Sequence, residues 1–293
     1  MLRSMYSGIA GMRGFQTKLD VVGNNIANVN TSGYKKARTT FQDMMSQTTA
    51  GASAPTDIRG GINPMQVGLG SQLGSIDNIH TQGNRQTTNR VLDMALEGDG
   101  MFIFGTGIEA DGGEGQITEV DVNNLNLQYS RAGNMYLDED GYIVNANGQY
   151  LIGQQNAGET DSRYLRIPEG AASFSIQGNG VVNYINEDGG TEVAGQIVLA
   201  KFSNPGGLDK VGGNMFRSSV NDGMIVTGTG APVLNEPESN GTAAVVSGAL
   251  EMSNVDLAEE FTEMITAQRG FQANTRIITT SDEILQELVN LKR

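Results

Sequence analysis

Few residues in this sequence have the types and spacing that catalysis requires. His80 is the only histidine and cysteine is absent, which excludes histidine metal clusters, thiolate metal sites, disulfides and cysteine nucleophiles. A Ser-His-Asp triad would have to include His80, and we expect that residue to be a half-exposed strand side chain instead. No GxxxxGK[ST] phosphate loop occurs, and "GLGSQLG" at 68–74 lacks the GxGxxG spacing of a dinucleotide site.

Paired carboxylates are the remaining candidates for chemistry, since two of them can act as acid and base in glycoside hydrolysis. They occur at 138–140 and at 187–188, each beside a turn glycine, where carboxylates are usually solvated. We therefore predict that the protein is not an enzyme and has no catalytic residue, cofactor or metal. A polysaccharide-acting surface hydrolase and an adhesin are kept as distant alternatives.

The overall composition excludes several classes of partner. The net charge of −14 argues against nucleic acid, because phosphate binding needs clustered lysine and arginine. A membrane-spanning helix needs about 18 consecutive apolar residues, and no such run is present, so we expect no membrane span. The first residues, "MLRSMYSGIAGMRGF", lack a continuous apolar core, so we expect no cleaved secretory signal.

Heptad-spaced apolar residues at both termini predict two helices that pack along a seam. The N-terminal stripe consists of Leu2, Met5, Ile9, Met12, Leu19 and Ile26. The C-terminal stripe consists of Leu257, Phe261, Met264, Phe271, Ile278, Leu285 and Val289, and the candidate caps before it are Ser253, Asn254 and Asp256. Residues 1–40 carry a net charge of +5 and residues 251–293 one of −4, which favours antiparallel or staggered pairing. The prediction is one discontinuous, coiled-coil-like helical domain built from both ends.

The sequence between the two helices is typical of β structure, because short β-prone runs alternate with turn dipeptides. Hairpin turns are predicted at Asp140-Gly141, Asn147-Gly148, Asn179-Gly180 and Gly189-Gly190. The predicted fold class is therefore α+β, with an all-β antiparallel sandwich or barrel in the middle. The predicted domains are the N-terminal helix and turn at 1–36, an extended connector at 37–71, a β-rich domain at 72–245 with a surface insertion at 105–124, and the C-terminal helix at 246–293.

The stretch "NNIANVNTSGYKK" (24–36) places four asparagines at the end of the first predicted helix. Asparagine competes with helical hydrogen bonds and tolerates the left-handed conformation, and glycine ends helices, so a helix C-terminus is predicted here. Asn24 and Asn28 lie four residues apart on one helical face, while Ile26 continues the apolar stripe. We expect the amides to hydrogen-bond to neighbouring copies of the chain as well as to end the helix.

Both ends of the chain resemble one known family. The segments "SMYSGIAGMRGFQTKLDVVGNNIANVNTSGYKK" and "ALEMSNVDLAEEFTEMITAQRGFQANTRIITTSDEILQELVNLKR" are similar to the terminal signatures of bacterial flagellar rod and hook axial proteins. The interior is similar too, in "NPMQVGLGSQLGSI", "TQGNRQTTNRVLDMALEGDGMFIF" and "AGQIVLAKFSNPGGLDKVGGNMF", while 105–124 departs most clearly. Within the family, "NPMQVGLG", "SNVDLAEEF" and "LVNLKR" look more like the hook type, and the distal rod type is the alternative.

The resemblance implies a structural subunit that polymerises into a helical tube, with the paired helices inside and the β domain outside. A hook subunit would form a flexible universal joint that passes torque from rod to filament, and a distal rod subunit would form a drive shaft. The implied partners are further copies of the chain, rod and hook–filament junction proteins, the hook cap and the flagellar type III export apparatus. The implied location is the extracellular hook and basal body. The terminal stripes would pack within and between subunits, and the family turn would consist of Asn24, Asn25, Asn28, Asn30, Gly33 and Tyr34.

Overall fold

The protein is described by a computed structural model for residues 2–56, 59–106, 126–154, 162–168, 170–224 and 234–291. The chain forms two compact units. The first, called the helical unit, consists of Met1–Ala27, Lys36–Ile79 and Val255–Arg293, and the second, called the β unit, consists of Asn28–Lys35 and His80–Asn254. The chain therefore passes from one unit to the other four times.

Two long helices dominate the helical unit. Helix α1 spans Leu2–Ala27 and helix α2 spans Leu257–Leu291. Asp256 caps α2: its Oδ1 accepts hydrogen bonds from the backbone N–H of Ala258 at 2.8 Å and of Glu259 at 3.4 Å. The predicted terminal helices are thus confirmed, and Asp256, one of the three candidate caps, is the residue that caps α2. No helix in the described part of the chain is long and apolar enough to cross a membrane.

The two helices pack antiparallel. Near the start of α1, a Cβ placed on Gly8 would lie 3.4 Å from Cγ1 of Ile278, towards the end of α2. Further along α1, Nζ of Lys18 lies 3.3 Å from Oε2 of Glu263, near the start of α2. Opposite charges therefore meet across the pair, as the net charges of the two terminal segments predict.

Residues 37–78 complete the helical unit with four strands: β1 (Ala37–Asp43), β2 (Ser46–Ala50), β3 (Met65–Gly68) and β4 (Ser71–Asn78). β1 pairs antiparallel with β4, and β2 pairs antiparallel with β3. The stretch 37–71, expected to be an extended connector, is therefore largely a paired β structure. Threonines on both faces of β1 favour a strand, and Thr40 Oγ1 lies 2.7 Å from Ser75 Oγ across the pair.

The β unit contains the remaining strands, and every strand pairing among the described residues is antiparallel. The strands are β5 (Arg85–Thr87), β6 (Met94–Glu97), β7 (Met101–Gly105), β8 (Gln128–Ser130), β9 (Met135–Leu137), β10 (Ile143–Asn145), β11 (Tyr150–Gln154), β12 (Ser162–Tyr164), β13 (Ser173–Ile176), β14 (Val181–Ile185), β15 (Thr191–Ile197), β16 (Leu199–Ala200), β17 (Asp209–Gly212), β18 (Met215–Arg217), β19 (Ala244–Ser247) and β20 (Ala249–Glu251). The main sheet runs in the order β13-β14-β15-β11-β7-β8-β18-β17, with β10, β12, β16 and β9 attached beside this path. β19 pairs with β6, and β20 with β5. The predicted α+β fold class is confirmed.

The four predicted hairpin turns all join neighbouring antiparallel strands. They connect β9 to β10, β10 to β11, β13 to β14 and β14 to β15. In each turn one glycine has a positive φ, between +76° and +83°, which explains the Gly at that position: Gly141, Gly148, Gly180 and Gly189. The predicted insertion at 105–124 lies almost entirely outside the described residues, since β7 ends at Gly105 and the description resumes at 126.

The central strands of the β unit bury side chains on both faces. Along β7, Phe102 and Phe104 pack into one hydrophobic cluster, while Met101 and Ile103 pack into another. β11 also buries both faces, since Leu151 belongs to the first cluster and Ile152 to the second. Because successive side chains of a strand point to opposite faces, two cores form from continuous apolar runs such as "MFIF".

Gly270 controls how closely the two helices approach each other. A Cβ placed on this residue would lie 2.6 Å from Cζ and 2.8 Å from both Cε atoms of the Phe15 ring. We expect Gly270→Ala to displace the ring and loosen the helix pair, costing about 1–3 kcal/mol. The matched control is Gly23→Ala, also in a helix, where nothing lies within 4 Å of the added Cβ. Removing that glycine should stabilise α1 by up to about 1 kcal/mol.

Thermal unfolding of the full chain, followed by circular dichroism at the helix band, measures both changes. The expected result is a lower helix melting temperature for Gly270→Ala and an equal or higher one for Gly23→Ala. If the two variants shifted the helix transition by the same amount, the proposed close approach at Gly270 would be wrong.

Candidate functional site

The structure divides the predicted seam residues into two groups. Met5, Ile9, Met12, Leu19 and Ile26 of α1 are half-buried, as are Met264, Ile278 and Leu285 of α2. In contrast, four residues of the predicted α2 seam are exposed: Leu257, Phe261, Phe271 and Val289. The side chain of Leu2 lies outside the described part. The C-terminal heptad stripe is therefore only partly used within one chain.

Small and polar residues, missed by the sequence analysis, form much of the face of α2 that contacts α1. Glu260, Ala267 and Ser281 are buried there. Asn274 belongs to the same series, since its Nδ2 would lie 2.7 Å from a Cβ placed on Gly11 of α1. These four residues are spaced seven apart in the sequence. The seven-residue repeat could have been found there, but only apolar residues were considered as seam positions.

Many large apolar side chains of α2 are left uncovered in the single chain. Between 36% and 83% of the surface of each is exposed, in a set that consists of Leu257, Phe261, Ile265, Phe271, Ile277, Ile284, Leu288, Val289 and Leu291. Exposed apolar surface of this extent is typical of a protein–protein interface. The geometry of the helical unit thus supports binding of another protein surface along α2.

The amide of Asn25 is fully used inside the helical unit. The residue is 1% exposed, and its Nδ2 donates to the backbone O of Ala37 at 2.8 Å and to Oε2 of Glu260 at 3.2 Å. Its Oδ1 accepts from the backbone N–H of Ala37 at 3.0 Å. One amide therefore ties the end of α1 to β1 and to α2. Burial raises the pKa of the Glu260 carboxyl, and the Asn25 hydrogen bond acts against that rise.

The segment 28–35, called the turn segment, belongs to the β unit. Thr31 Oγ1 donates to Oδ1 of Asn28 at 3.2 Å, and the backbone N–H of Gly33 donates to the backbone O of Glu251 at 2.8 Å. Tyr34 is buried, and Nζ of Lys210 lies 5.1 Å from the centre of its ring. Asn24 and Asn30 are exposed. Binding of these amides to neighbouring copies stays a prediction.

A buried charge cluster begins at Lys35, the last residue of the turn segment. The side chains of Lys35 and Glu251 are 0% exposed, and Lys35 Nζ donates to Glu251 Oε1 at 2.6 Å. Arg131 Nη1 donates to the other oxygen of this carboxylate at 3.3 Å, and the backbone N–H of Gly83 donates to Oε1 at 3.0 Å. Lys35 also donates to the backbone O of Thr81 at 2.8 Å. Glu251 thus holds together four separate segments of the β unit.

The free energy of burying these charges depends on the ion pair between Lys35 and Glu251. Burial lowers the pKa of Lys35, and the Glu251 carboxylate opposes that shift by attraction and by its hydrogen bond. A charge in this position is tolerated only because its partner is also buried beside it. Sequence reasoning missed this cluster because its members are spread between residues 35 and 251 and no local pattern relates them.

His80 is half-buried, close to the half-exposed state that was expected, but it is not a strand residue. It follows β4 rather than lying in it, and its ring packs against Phe216 with the centroids 5.4 Å apart. Neither ring nitrogen has a hydrogen-bond partner among the described residues, and both are buried. Burial lowers the pKa of His80 to about 4, with repulsion from Lys35, Lys210 and Arg131 as further causes. The imidazole is therefore neutral at pH 7.

This neutral imidazole makes the β unit sensitive to acid. The folded protein takes up the His80 proton only near pH 4, whereas the unfolded chain takes it up near pH 6.5, so stability falls as the pH drops between these values. Between pH 7 and pH 4.5 we expect His80 to lower the free energy of unfolding by about 2–3 kcal/mol, a decrease that is absent in His80→Phe.

Chemical denaturation of both proteins at pH 7 and pH 4.5 tests this expectation. Near-ultraviolet circular dichroism of tyrosine reports on the β unit, because Tyr6 is the only one of the 8 tyrosines in the helical unit. Equal acid sensitivity of the two proteins would show that His80 does not control it.

Three family models match this chain. They are described as "Flagella basal body rod protein" over residues 5–35, "Flagellar hook protein FlgE/F/G D1 domain" over 113–184 and "Flagellar basal body rod FlgEFG protein C-terminal" over 246–291. The flagellar basal-body rod protein FlgG of Bacillus subtilis is 52% identical over the full length of both chains. The chain belongs to the flagellar rod and hook protein family.

Two further relatives are less similar to the chain than this rod protein is. The flagellar hook protein FlgE of Borreliella burgdorferi is 32% identical over an alignment of 448 residues that covers both chains completely. The rod protein FlgG of Agrobacterium fabrum is 35% identical and covers 97% of both chains. A crystal structure of the Helicobacter pylori hook protein FlgE2 aligns with 65% of this chain and 47% of its own, at 15% identity and a TM-score of 0.22.

The family matches include the residues of the buried charge cluster. Lys35 is the last residue of the N-terminal match, Arg131 lies within the middle one and Glu251 lies within the C-terminal one. The turn segment and the strand that carries Glu251 are thus regions by which the family is recognised. The turn carboxylates at 138–140 and 187–188 are exposed, and the described residues contain no group of three or more side chains that could hold a metal ion.

Proposed function

We propose that this chain is a structural subunit of the flagellar rod that polymerises through its helical unit. The observation that carries the proposal is the 52% identity to a rod protein over the whole of both chains. The alignments with hook proteins extend over 448 and 470 residues, so those relatives contain segments that this 293-residue chain lacks. The sequence motifs favoured the hook, but the comparisons support the rod alternative better.

The uncovered apolar residues of α2 support a second copy of the chain as the partner. Their exposed surface would be buried when α1 and α2 of neighbouring copies pack beside them. Burying the exposed half of one leucine or isoleucine contributes about 1 kcal/mol, so this set can offset the entropic cost of association. In this proposal Leu257, Phe261, Phe271 and Val289 make contacts between subunits, while Ile278 and Leu285 pack within one.

The β2–β3 hairpin is a second candidate contact of the helical unit. Every residue of these two strands is exposed, and Met45, Met65 and Val67 present between 44% and 80% of their surfaces to solvent. A hairpin with so little cover from its own chain is suited to pack on a neighbouring copy. Additional contacts of this kind would stiffen a tube, which fits a rod that transmits torque without bending.

In the assembled rod we expect the helices of neighbouring copies to pack together around a hollow tube. The neighbours at the ends of the polymer would be other rod and hook proteins, and the chain would reach its site through the flagellar export apparatus. The role is mechanical, and the exposed turn carboxylates have no assigned chemistry. Hydrolysis of polysaccharide by the purified protein would contradict this proposal.

Electron microscopy of concentrated full-length protein tests the proposal. A rod subunit should form straight, stiff tubes, whereas curved and flexible tubes would show that the protein is a hook subunit instead. A variant that lacks residues 2–27 should form no tubes and should keep the tyrosine signal of a folded β unit. A protein that stays monomeric at all concentrations would overturn polymerisation through the helical unit.

A further inference from the structure

A cavity of about 160 Å³ opens beside His80 in the β unit. Its lining includes His80, Arg131 and Lys201, together with Asp99 and Ser203. Arg131 is almost completely buried, whereas Asp99 and Ser203 are exposed. A space of this size can hold several water molecules or one small polyatomic ion.

The charges around this cavity are unbalanced. Lys35, Arg131 and Lys210 all lie close enough to His80 to repel its protonated form. Lys35 and Arg131 share a single carboxylate, that of Glu251. Lys210 forms no ion pair with any described residue, and its Nζ donates to the backbone O of Lys35 at 3.3 Å. This excess of positive charge stands out in a protein whose net charge is −14.

Several side chains around the cavity have N–H groups for which no acceptor is described. Buried polar groups are nearly always paired, yet both nitrogens of His80 lack a partner among the described residues. Lys201 uses two of its three N–H groups on the backbone oxygens of Asn240 and Gly241, each at 3.0 Å. Arg131 has five N–H groups, and its described contacts are Glu251 and the backbone O of Gly98.

We propose that this cavity binds a small oxoanion or carboxylate ion. Its oxygens would accept from the N–H of His80, from Lys201 and from the remaining N–H groups of Arg131, which pairs one of the two imidazole nitrogens and offsets the local positive charge. Asp99 repels such a ligand and limits its affinity. The proposal concerns the β unit alone and does not depend on the rod or on polymerisation.

The single histidine of the chain provides a direct test, because every imidazole signal in a nuclear magnetic resonance spectrum belongs to His80. Full-length protein at pH 7 is titrated with inorganic phosphate, with acetate and, at matched ionic strength, with chloride as the control. We expect a saturable shift of the His80 nitrogen signals with phosphate or with acetate and a linear, smaller drift with chloride. Saturation by phosphate identifies an oxoanion site, and saturation by acetate alone identifies a carboxylate site.

Substitutions of charged residues that line the cavity distinguish a bound anion from a general salt effect. Lys201→Met removes a charged donor and should weaken binding about tenfold, whereas Asp99→Asn removes a repelling charge and should tighten it. Lys18→Met, a charge change in the helical unit, should leave the affinity unchanged.

Three results would overturn the proposal: the absence of a saturable shift, equal responses to phosphate, acetate and chloride, or weaker binding in Asp99→Asn. Thermal unfolding of each variant, with and without phosphate, shows whether it is folded. It also checks the stabilisation that a ligand bound only to the folded state must produce.

Discussion

Replacing Glu251 by glutamine is expected to lower the free energy of unfolding of the β unit by about 3–5 kcal/mol. The change keeps the size of the side chain but removes the only carboxylate that pairs with Lys35 and Arg131 among the described residues. Lys35 is 1% exposed and cannot turn to solvent, so its charge would be left without compensation. Chemical denaturation of the full chain, followed by the near-ultraviolet tyrosine signal, measures the loss.

Glu97→Gln is the matched control for this prediction. Glu97 also lies in a strand of the β unit and pairs with an arginine, Arg85, at 3.0 Å, but both side chains are about half exposed. Exposed pairs contribute about 0–1 kcal/mol, so this variant should unfold almost like the wild type. If Glu251→Gln cost no more than Glu97→Gln, the buried cluster would not be a determinant of stability.

Two further measurements separate loss of the charge pair from general damage. Lys35→Met in the Glu251→Gln background should recover part of the lost stability, because the unpaired ammonium group is gone. Burial already lowers the pKa of Lys35, and loss of Glu251 lowers it further. The folded variant therefore releases this proton more readily than the unfolded chain, so its deficit should shrink as the pH rises from 7 towards 10.

Replacing Gly33 by alanine is expected to destabilise the turn segment strongly. The residue has φ of +70°, and an added Cβ would lie 2.6 Å from the backbone N of Ala132 and 2.8 Å from the backbone C of Arg131. The left-handed conformation costs an L-residue about 1–2 kcal/mol, and the contact with a backbone that cannot rotate away adds about 1–3 kcal/mol. The hydrogen bond from Gly33 to Glu251 is expected to weaken as the segment shifts.

Gly148→Ala separates these two costs. Gly148 has a similar φ of +76° and also lies in the β unit, but nothing lies within 4 Å of an added Cβ there. Only the conformational cost applies to Gly148→Ala. Its free energy of unfolding, measured by the tyrosine signal, should therefore fall by about half as much as that of Gly33→Ala. Equal losses would mean that the turn segment can move away from residues 131–132 without penalty. In tube assembly, Gly148→Ala should behave like the wild type, whereas Gly33→Ala should assemble poorly.

Local patterns in the sequence determined the secondary structure well. The heptad spacing predicted both helices, the candidate caps at 253–256 predicted the start of α2, and four glycine turns predicted four hairpins. Each of these signals is contained within a few residues, and its physical basis is equally local: a repeat along one helix face, a free N–H at a helix start, or a positive φ in a turn. The family resemblance was also visible at both ends.

The sequence patterns were less informative about the structure of residues 37–71 and about which residues of the apolar helix stripes are buried within one chain. Residues 37–71 were expected to be an extended connector because they are rich in glycine, serine and threonine. In the structure β2 pairs with β3 inside this stretch, and β1 pairs with β4, which begins at its end. The apolar stripes of α1 and α2 were expected to pack on each other within and between subunits. Within the chain, glycines of α1 let the two backbones approach along small and polar residues of α2, which leaves much of the apolar stripe of α2 exposed. Contacts of that stripe between subunits stay a prediction.

The sequence by itself thus determined the helices, the hairpins and the family, since short-range periodicity and turn chemistry encode them. Only the tertiary structure decided that Lys35, Arg131 and Glu251 form one buried cluster, and that Asn25 bonds to Ala37 and Glu260 while Asn28 bonds to Thr31. Lys35 and Glu251 are 216 residues apart, and a single lysine or glutamate carries no mark of its partner or of its burial. Such pairs exist only once the folded chain has brought distant segments together and removed water from between them.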